Sequence, residues 1–447
     1  LYPLYLAYNI YRSRLRNAMF SPETLEEHQT LWDTAVAQNI FVICKTPMAK
    51  AITRRTLLGF RKGKTNMWAP DDLINKIKNQ PDLFIKKVGD LVGKNVKINA
   101  IVGNPPYQES NDGTATSSDS IFTNFIDISR LIRPTYISLI TPARWMSKQG
   151  RGINATWCEE LMHCNHFISL HLYPNEKECF PTATIKGGVN YFLFSTQIEC
   201  KCNFYLHIGD RNTHTLKYLS ENDFGVIVRD ERFVPIISKI CDKDGKTYFK
   251  NNSFESMVGG TGMFTDCAKG IMGSGWRQFK TEPTDNHNIK YYYINKNVRL
   301  HGWVSIDDIP RGHMLIPFHK VYCPEAGGSG TISDTTILGK PMYGEPGSVC
   351  SQSYIPIGYK NQLKTKEECE SVIKYIQTRF LRFLVSFVKN TQHATSRVYR
   401  FVPMQDFTEN SDIDWSKSVE EIDKQLYKKY HLSDTEIAFI ESMIKPM

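Results

Sequence analysis

Apolar residues follow two rhythms over the first 205 positions, short continuous runs and helical repeats, and the two alternate. QNIFVIC (38–44) predicts a strand and MAKAITRRTLLGF (48–60) the helix after it. INAIVG (98–103), YISLIT (136–141), FISLHLY (167–173) and VNYFLFS (189–195) predict further strands, the last reached through a turn at IKGG (185–188). Before YISLIT, the segment 120–132 places Ile121, Phe125, Ile128 and Ile132 on one helical face. Strands alternating with helices in this way predict an α/β sheet domain over residues 1–205.

The rhythm changes from about residue 206. Gly, Ser, Asp and Asn become frequent, as in MVGGTGMFTD (257–266), IMGSG (271–275), EAGGSG (325–330) and YGEPGS (343–348), with short strand-like runs between them. This predicts a β-rich mixed domain over 206–405, with long loops of the kind that carry binding surfaces. One long helix interrupts it. Thr365 and Glu368 give a capping-box signal, and Val372, Ile373, Ile376, Phe380, Phe383, Leu384 and Phe387 then repeat at helical spacing. The tail, 406–447, is more acidic and helical, and Ser433 with Glu436 opens its last helix.

Composition narrows the class. Of 447 residues, 41% are hydrophobic and 23% charged, which excludes collagen-like and wholly disordered chains. No run of 18 or more apolar residues occurs, which excludes a spanning helix, so no membrane partner is expected. The eleven cysteines are scattered, odd in number and without a CxxC pair, as reduced thiols in a cytoplasmic protein would be. His163, Cys164, His166 and His171 crowd one segment, but no second cluster has metal-ligand spacing, and no metal is expected. Leu1 is not an initiator methionine and the opening LYPLYLAYNI is too short for a signal segment, so the chain is expected to be a fragment. The net charge of +9 permits a polyanionic partner without requiring one.

The chemistry concentrates in IVGNPPYQ (101–108). As plain structure it is a strand leaving its sheet through an Asn-Pro turn, since the residue before proline avoids the helical region. As a site, each residue has a task. An exocyclic aromatic amine is a poor nucleophile because its lone pair is delocalised into the ring. Two acceptors on the amine's hydrogens, the Asn104 side-chain oxygen and the Pro105 carbonyl, favour a pyramidal nitrogen with its lone pair directed at an incoming methyl. Pro105 and Pro106 stiffen the loop, and Tyr107 can stack on a base taken out of its duplex.

With these residues the chain resembles the adenine-N6 DNA methyltransferases, specifically the methylase–specificity polypeptides of type II (IIG-like) restriction–modification systems. Residues 39–59 resemble that family's second motif, a strand followed by a proline and a helix. Residues 120–145 resemble the helix and strand after the catalytic loop, 180–194 the later strand pair, and 426–447 the family's ending. The resemblance implies a Rossmann-like, S-adenosylmethionine-dependent methyltransferase core, incomplete at the N-terminus, then a target-recognition domain and a helical tail. It implies that Asn104, Pro105, Pro106 and Tyr107 are catalytic and that double-stranded DNA with a flipped adenine is the substrate. It places Cys44, Pro47 and Asp90 toward the cofactor. Two departures stand out: no Gly-rich strand-to-helix turn precedes residue 39, and Cys44 occupies the place of the acid expected to hold the cofactor ribose. The absent turn is expected in a missing N-terminal portion, and a restriction subunit is a further possible partner in a bacterial cytoplasm.

Between Ser371 and Gln405 there are six cations, Lys374, Arg379, Arg382, Lys389, Arg397 and Arg400, and no acid. With Phe380, Phe383 and Phe387 assigned to the helix core, Lys374, Arg382 and Lys389 are expected to face elsewhere. Together with Asn390 and Gln392 they form the expected nucleic-acid surface; the plain alternative is a solvated helix face. Arg144 and Trp145 either line the cleft or pack in the core. No nuclease constellation is evident. Two rivals remain: a protein glutamine-N5 methyltransferase, which would use the same loop on an amide nitrogen, and a catalytically incomplete DNA-specificity fragment.

Overall fold

The computed structural model describes residues 1–17, 22–93, 96–108, 120–148, 152–222, 224–241, 252–273, 275–328 and 335–447. The Gly-rich stretches 271–275 and 325–330 lie partly outside them. Helices α1 (Tyr2–Asn17) and α2 (Leu25–Asn39) lead into β1 (Phe41–Ile43), α3 (Pro47–Leu58) and β2 (Asn66–Trp68). The strand expected over 38–44 is only three residues long, because α2 runs on to Asn39 and the chain becomes extended at Ile40. Thr46 caps α3 by accepting from the Ala49 N–H at 3.1 Å, with Pro47 in the first turn where its missing N–H costs nothing. Strands β1 and β2 pair in parallel as a small sheet.

A larger sheet follows, from β3 (Ala100–Gly103), β4 (Tyr136–Pro142), β5 (Phe167–Tyr173), β6 (Val189–Ser195), β7 (Cys202–Ile208) and β8 (Arg211–Lys217), in the order β3-β4-β6-β5-β7-β8. β3 runs parallel to β4, while β6 is antiparallel to both its neighbours. The sheet therefore continues beyond the domain limit expected at residue 205, which falls inside β7. Alternation along the strands sends Ile137, Leu139, Leu170, Leu172, Phe192, Phe194, Phe204 and Leu206 to one face. That face packs on α6 (Phe122–Leu131) and α7 (Ala155–His163). Each such side chain contributes roughly 1.5–3 kcal/mol by leaving water. Helices α4 (Leu73–Asn79) and α5 (Pro81–Val92) share a second core with Ile128 of α6, Phe41 of β1 and Trp68 of β2, so one helical layer contacts both sheets.

The C-terminal half is mixed rather than purely β. Strands β9 (Ile289–Asn295) and β10 (Val298–Val304) form a hairpin whose two-residue turn, Lys296 and Asn297, has φ of 46° and 65°. Strand β11 (Lys320–Pro324) lies between β12 (Met342–Gly344) and β14 (Tyr354–Ile357), and β13 (Ser348–Cys350) adds to β9 in parallel. Behind them sit α8 (Phe233–Ile240), α9 (Lys366–Gln377), α10 (Arg379–Val388), α11 (Val419–Lys429) and α12 (Asp434–Met443) in one apolar core. The expected tail belongs to that core: Phe407, Ile413, Trp415, Ile422, Leu426 and Ile440 are all within it.

The single long helix expected after Thr365 is two helices. Thr365 caps the first, accepting from the Glu368 N–H at 3.1 Å. Thr378 is extended, with φ −61° and ψ 149°, and caps α10 by accepting from the Leu381 N–H. The Asp423 carboxylate on α11 accepts the Arg379 and Phe380 N–H groups, both at 2.9 Å, satisfying donors that a helix start leaves open. Every residue from Phe380 to Val388 is buried, Arg382 and Ser386 included.

Burial raises the Asp423 pKa to about 6 against the lowering pull of those two N–H groups and the nearby Arg379 and Arg382. The protonated carboxyl therefore favours the folded chain fully below the unfolded value, roughly 3.9; that contribution is lost as pH rises from there to about 6 and is gone above it. Asn at this position does not ionise. The stability of Asp423→Asn relative to the parent is expected to rise between pH 4 and pH 7, by up to about 3 kcal/mol. Urea unfolding at stepped pH reads it; a pH-independent difference would contradict the assignment.

Candidate functional site

The Asn-Pro-Pro-Tyr loop leaves the sheet at the carboxyl end of β3, where Gly103 is in register with Leu139 of β4. Asn104 is exposed, Pro105 buried, and Pro106 and Tyr107 half-buried. The loop is pinned at its far end. The Ile121 N–H donates to the Tyr107 carbonyl at 3.1 Å, and Gln108 bridges Ser120 just ahead of α6. Tyr107 packs on the main sheet core. Its hydroxyl makes no hydrogen bond of good geometry, and burial, with Tyr2 and Cys179 nearby, pushes the phenol above its ordinary range against a lowering contact with the Asn104 side chain. A rigid loop thus presents one polar side chain outward with an aromatic ring beside it.

The neighbouring strand end is built with comparable care. Asn190 of β6 is fully buried, and its Oδ1 accepts from Thr141 Oγ1 at 3.2 Å and Trp145 Nε1 at 3.1 Å. The Ala143 N–H donates to the Gly188 carbonyl, inside the IKGG turn where Gly187 and Gly188 have φ of 91° and 81°. A Cβ on Gly188 would lie 2.5 Å from the Tyr173 carbonyl oxygen, so only glycine fits. Trp145 is a core residue, stacked 5.8 Å from Phe167. Arg144 packs against Gly187 and is desolvated, which lowers its pKa. These supports were not legible in the sequence, because Thr141 and Asn190 are 49 positions apart.

The expected nucleic-acid surface is largely corrected. Lys374 Nζ donates to the carbonyls of Trp415, Ser416 and Lys417 at 2.7, 3.3 and 3.0 Å. Arg379 pairs with Glu441 at 3.0 Å. Arg382 is 1% exposed and donates to the Thr378 carbonyl; burial lowers its pKa to about 10. Lys389, 2% exposed, reaches the Gly327 carbonyl at 2.7 Å. Asn390, 3% exposed, donates to Ser147 Oγ at 2.5 Å and docks this segment on the sheet domain. Arg400 donates to the Phe224 carbonyl at 2.6 Å, and burial lowers its pKa to about 10. Lys374, Arg382, Lys389 and Arg400 share one physical reason, since each satisfies backbone carbonyls left open by the fold, while Arg379 is paired with a carboxylate and Asn390 with a hydroxyl. Arg229, missed in the sequence, does the same for the carbonyls of Ser386, Phe387 and Lys389 at the end of α10. Of the expected set, Arg397 is exposed and Gln392 half-exposed.

Of the residues carried over for the cofactor, Cys44 does not fit its expected role. A nucleoside's ribose needs an acceptor after β1, but Cys44 there is 5% exposed and burial raises its pKa, so it stays a neutral thiol and a weak acceptor. Pro47 opens α3, and Asp90 is exposed near the end of α5. Among the described residues no three His, Cys, Asp or Glu side chains gather as a metal site. His163 bonds the Glu159 carbonyl, His166 the Ile198 carbonyl, and His171 faces His207. No helix among the described residues is long and apolar enough to cross a membrane.

Residues 38–180 match the protein family described as Eco57I restriction-modification methylase. Over 108 residues the chain is 31% identical to an "uncharacterized adenine-specific methylase" of Mycoplasma pneumoniae (strain ATCC 29342 / M129 / Subtype 1). That stretch is 24% of this chain and 25% of the other, so the match spans about a quarter of the curated relative's length. Among solved structures, the Type IIL restriction-modification enzyme MmeI in complex with DNA is similar at TM-score 0.44 and 10% identity, covering 95% of this chain and 65% of that one. The ATP-dependent Type ISP restriction-modification enzyme LlaBIII bound to DNA is similar at TM-score 0.44 and 8% identity, covering 99% and 36%. The resemblance read from the Asn-Pro-Pro-Tyr loop thus has independent counterparts in the sequence matches.

Because the buried Tyr107 hydroxyl makes no hydrogen bond of good geometry, Tyr107→Phe is expected to leave stability within about 0.5 kcal/mol of the parent or to raise it. Tyr107→Ala is expected to cost about 2 kcal/mol through lost packing. Urea midpoints measure both; a large loss in the Phe variant would show that the hydroxyl is bonded.

Proposed function

We propose that this chain carries the amine-binding and DNA-binding parts of a site-specific DNA methyltransferase acting on adenine N6 in a restriction–modification system. The observation that supports it best is the placement of Asn104: exposed at a strand's carboxyl end, on a loop stiffened by two prolines and anchored through the Tyr107 carbonyl. Ligands of open α/β sheets bind at that end of the strands. The matches to a methylase family over residues 38–180 and to an adenine-specific methylase point the same way.

In this reading a flipped adenine lies against Tyr107, which excludes water from one face of the base. The Asn104 side-chain oxygen and the Pro105 carbonyl accept from the N6 hydrogens, and positive charge developing on N6 is stabilised by these fixed dipoles. Preorganisation comes from Pro105 and Pro106, so little reorganisation accompanies the transfer. The second half of the chain, from about 218 to the helical core, serves target recognition, with Arg397 and Gln392 as the members of the 374–400 set able to meet DNA. The sheet domain is read as a Rossmann-like methyltransferase core and S-adenosylmethionine as the donor. Cys44, a buried neutral thiol, offers the donor's ribose no strong acceptor, so the residues given roles here act on the amine side of the reaction. The natural setting of such a protein is a bacterial cytoplasm, with a restriction subunit as a partner.

Asn104→Ala is expected to lower methyl transfer in the active protein by at least about 100-fold, while DNA affinity stays within a few fold. Labelled methyl incorporation and equilibrium DNA binding measure the two. Unchanged transfer would remove Asn104 from the mechanism.

A further inference from the structure

Several cations near the junction of the sheet domain with the C-terminal half are tied to partners. Lys148 pairs with Glu159, and Arg229, Lys389 and Arg400 donate to backbone carbonyls. Arg144 is different. Its Nε is buried without a partner, and among the described residues its guanidinium makes no ion pair and no hydrogen bond. Burial lowers its pKa, and no carboxylate stands near enough to oppose that. A desolvated charge without a counter-charge costs stability, so its retention calls for a partner outside the fold.

The backbone beneath Arg144 is fixed. It lies in the short helical turn Ala143–Ser147 that follows β4. The Ala143 N–H is held by the Gly188 carbonyl at 3.0 Å, Trp145 Nε1 by Asn190, and Ser147 Oγ accepts from Asn390. The aliphatic stem lies over the IKGG turn, where a Cβ on Gly187 would stand 2.7 Å from Arg144 Cγ. Gly187 thus makes room for the arginine stem. Arg144 as a whole is only half-buried, so a ligand can reach its guanidinium. Its place in the sheet matters equally. β3 and β4 run parallel, so Arg144 follows β4 at the same end of the sheet where the Asn-Pro-Pro-Tyr loop follows β3. Adjacent strands are only about 4.8 Å apart. A guanidinium offers paired donors that match the oxygens of a phosphate.

From this geometry we infer that Arg144 binds a backbone phosphate of the target DNA strand beside the flipped nucleotide, holding the strand while the base occupies the Asn-Pro-Pro-Tyr loop. The inference rests on the function proposed above. The phosphate supplies the counter-charge that the fold withholds, and the contact carries no sequence information. Arg144 is then a positioning residue, since it does not touch the reacting amine.

The test compares the active parent protein with Arg144→Met, which keeps the stem and removes the charge, and with Arg144→Lys. Lys428→Gln, which removes one exposed charge on α11, is the control. Binding of a duplex carrying the sequence the protein modifies is measured across a salt series. Arg144→Met is expected to bind about tenfold more weakly, and its slope of log affinity against log salt to fall by about 0.9, the value for one phosphate contact. Arg144→Lys is expected to keep the slope, and Lys428→Gln to leave both slope and affinity unchanged. A second arm replaces single phosphates around the target adenine by neutral methylphosphonates. One such position is expected to weaken the parent and to leave Arg144→Met unaffected. A parent-like slope in Arg144→Met, an equal loss in Lys428→Gln, or a parent indifferent to every replaced phosphate would overturn the inference. So would a lowered urea midpoint in Arg144→Met with unchanged DNA binding, since that marks packing alone. If the parent transfers no methyl to adenine, the proposed function fails, and the salt slope on a random-sequence duplex still decides whether Arg144 meets phosphate.

Discussion

One helix buried on every side governs much of this structure. With Phe380 to Val388 all out of solvent, α10 can be stable only if its unpaired N–H and carbonyl groups find partners inside the protein. Asp423 and Thr378 answer at the start, and Arg229 answers at the end. The chain leaving the helix then docks on the sheet domain through Asn390 and Ser147. The charged residues around α10 are thereby committed to the interior. Any surface for the proposed DNA substrate then has to come from elsewhere, and the seating of the C-terminal half on the sheet domain depends on the same contacts.

Local rules were enough for much of the fold. The strands at 136–142, 167–173 and 189–195, the cap at Thr365 and the capping box of Ser433 and Glu436 all follow from spacing and side-chain chemistry within a few residues. Three features did not follow. The break at Thr378 depends on a carboxylate 45 positions away in α11. The extra strands β7 and β8 carry polar residues on one face; β7 joins the sheet by long-range pairing with β5, and β8 follows it as a hairpin partner. Burial of Arg382 and Lys389 reverses the usual exposure of such side chains, which holds only where carbonyls need donors.

The candidate site divides in the same way. The Asn-Pro-Pro-Tyr loop was legible because its residues are contiguous and each has a chemical role. Its supports, Asn190 holding Thr141 and Trp145, are assembled by strand pairing and left no local signal. Cys44 shows the converse: its place in a motif suggested a cofactor role, and its burial as a neutral thiol speaks against one.

The central claim is that Asn104 and Pro105 hold the N6 amine of adenine in DNA. Its most direct test supplies the active protein with labelled methyl donor and both DNA and protein substrates, then digests each and identifies the modified unit by mass spectrometry. The account predicts label in N6-methyladenine of DNA alone. Label in a glutamine side chain, or in cytosine and not adenine, would contradict it.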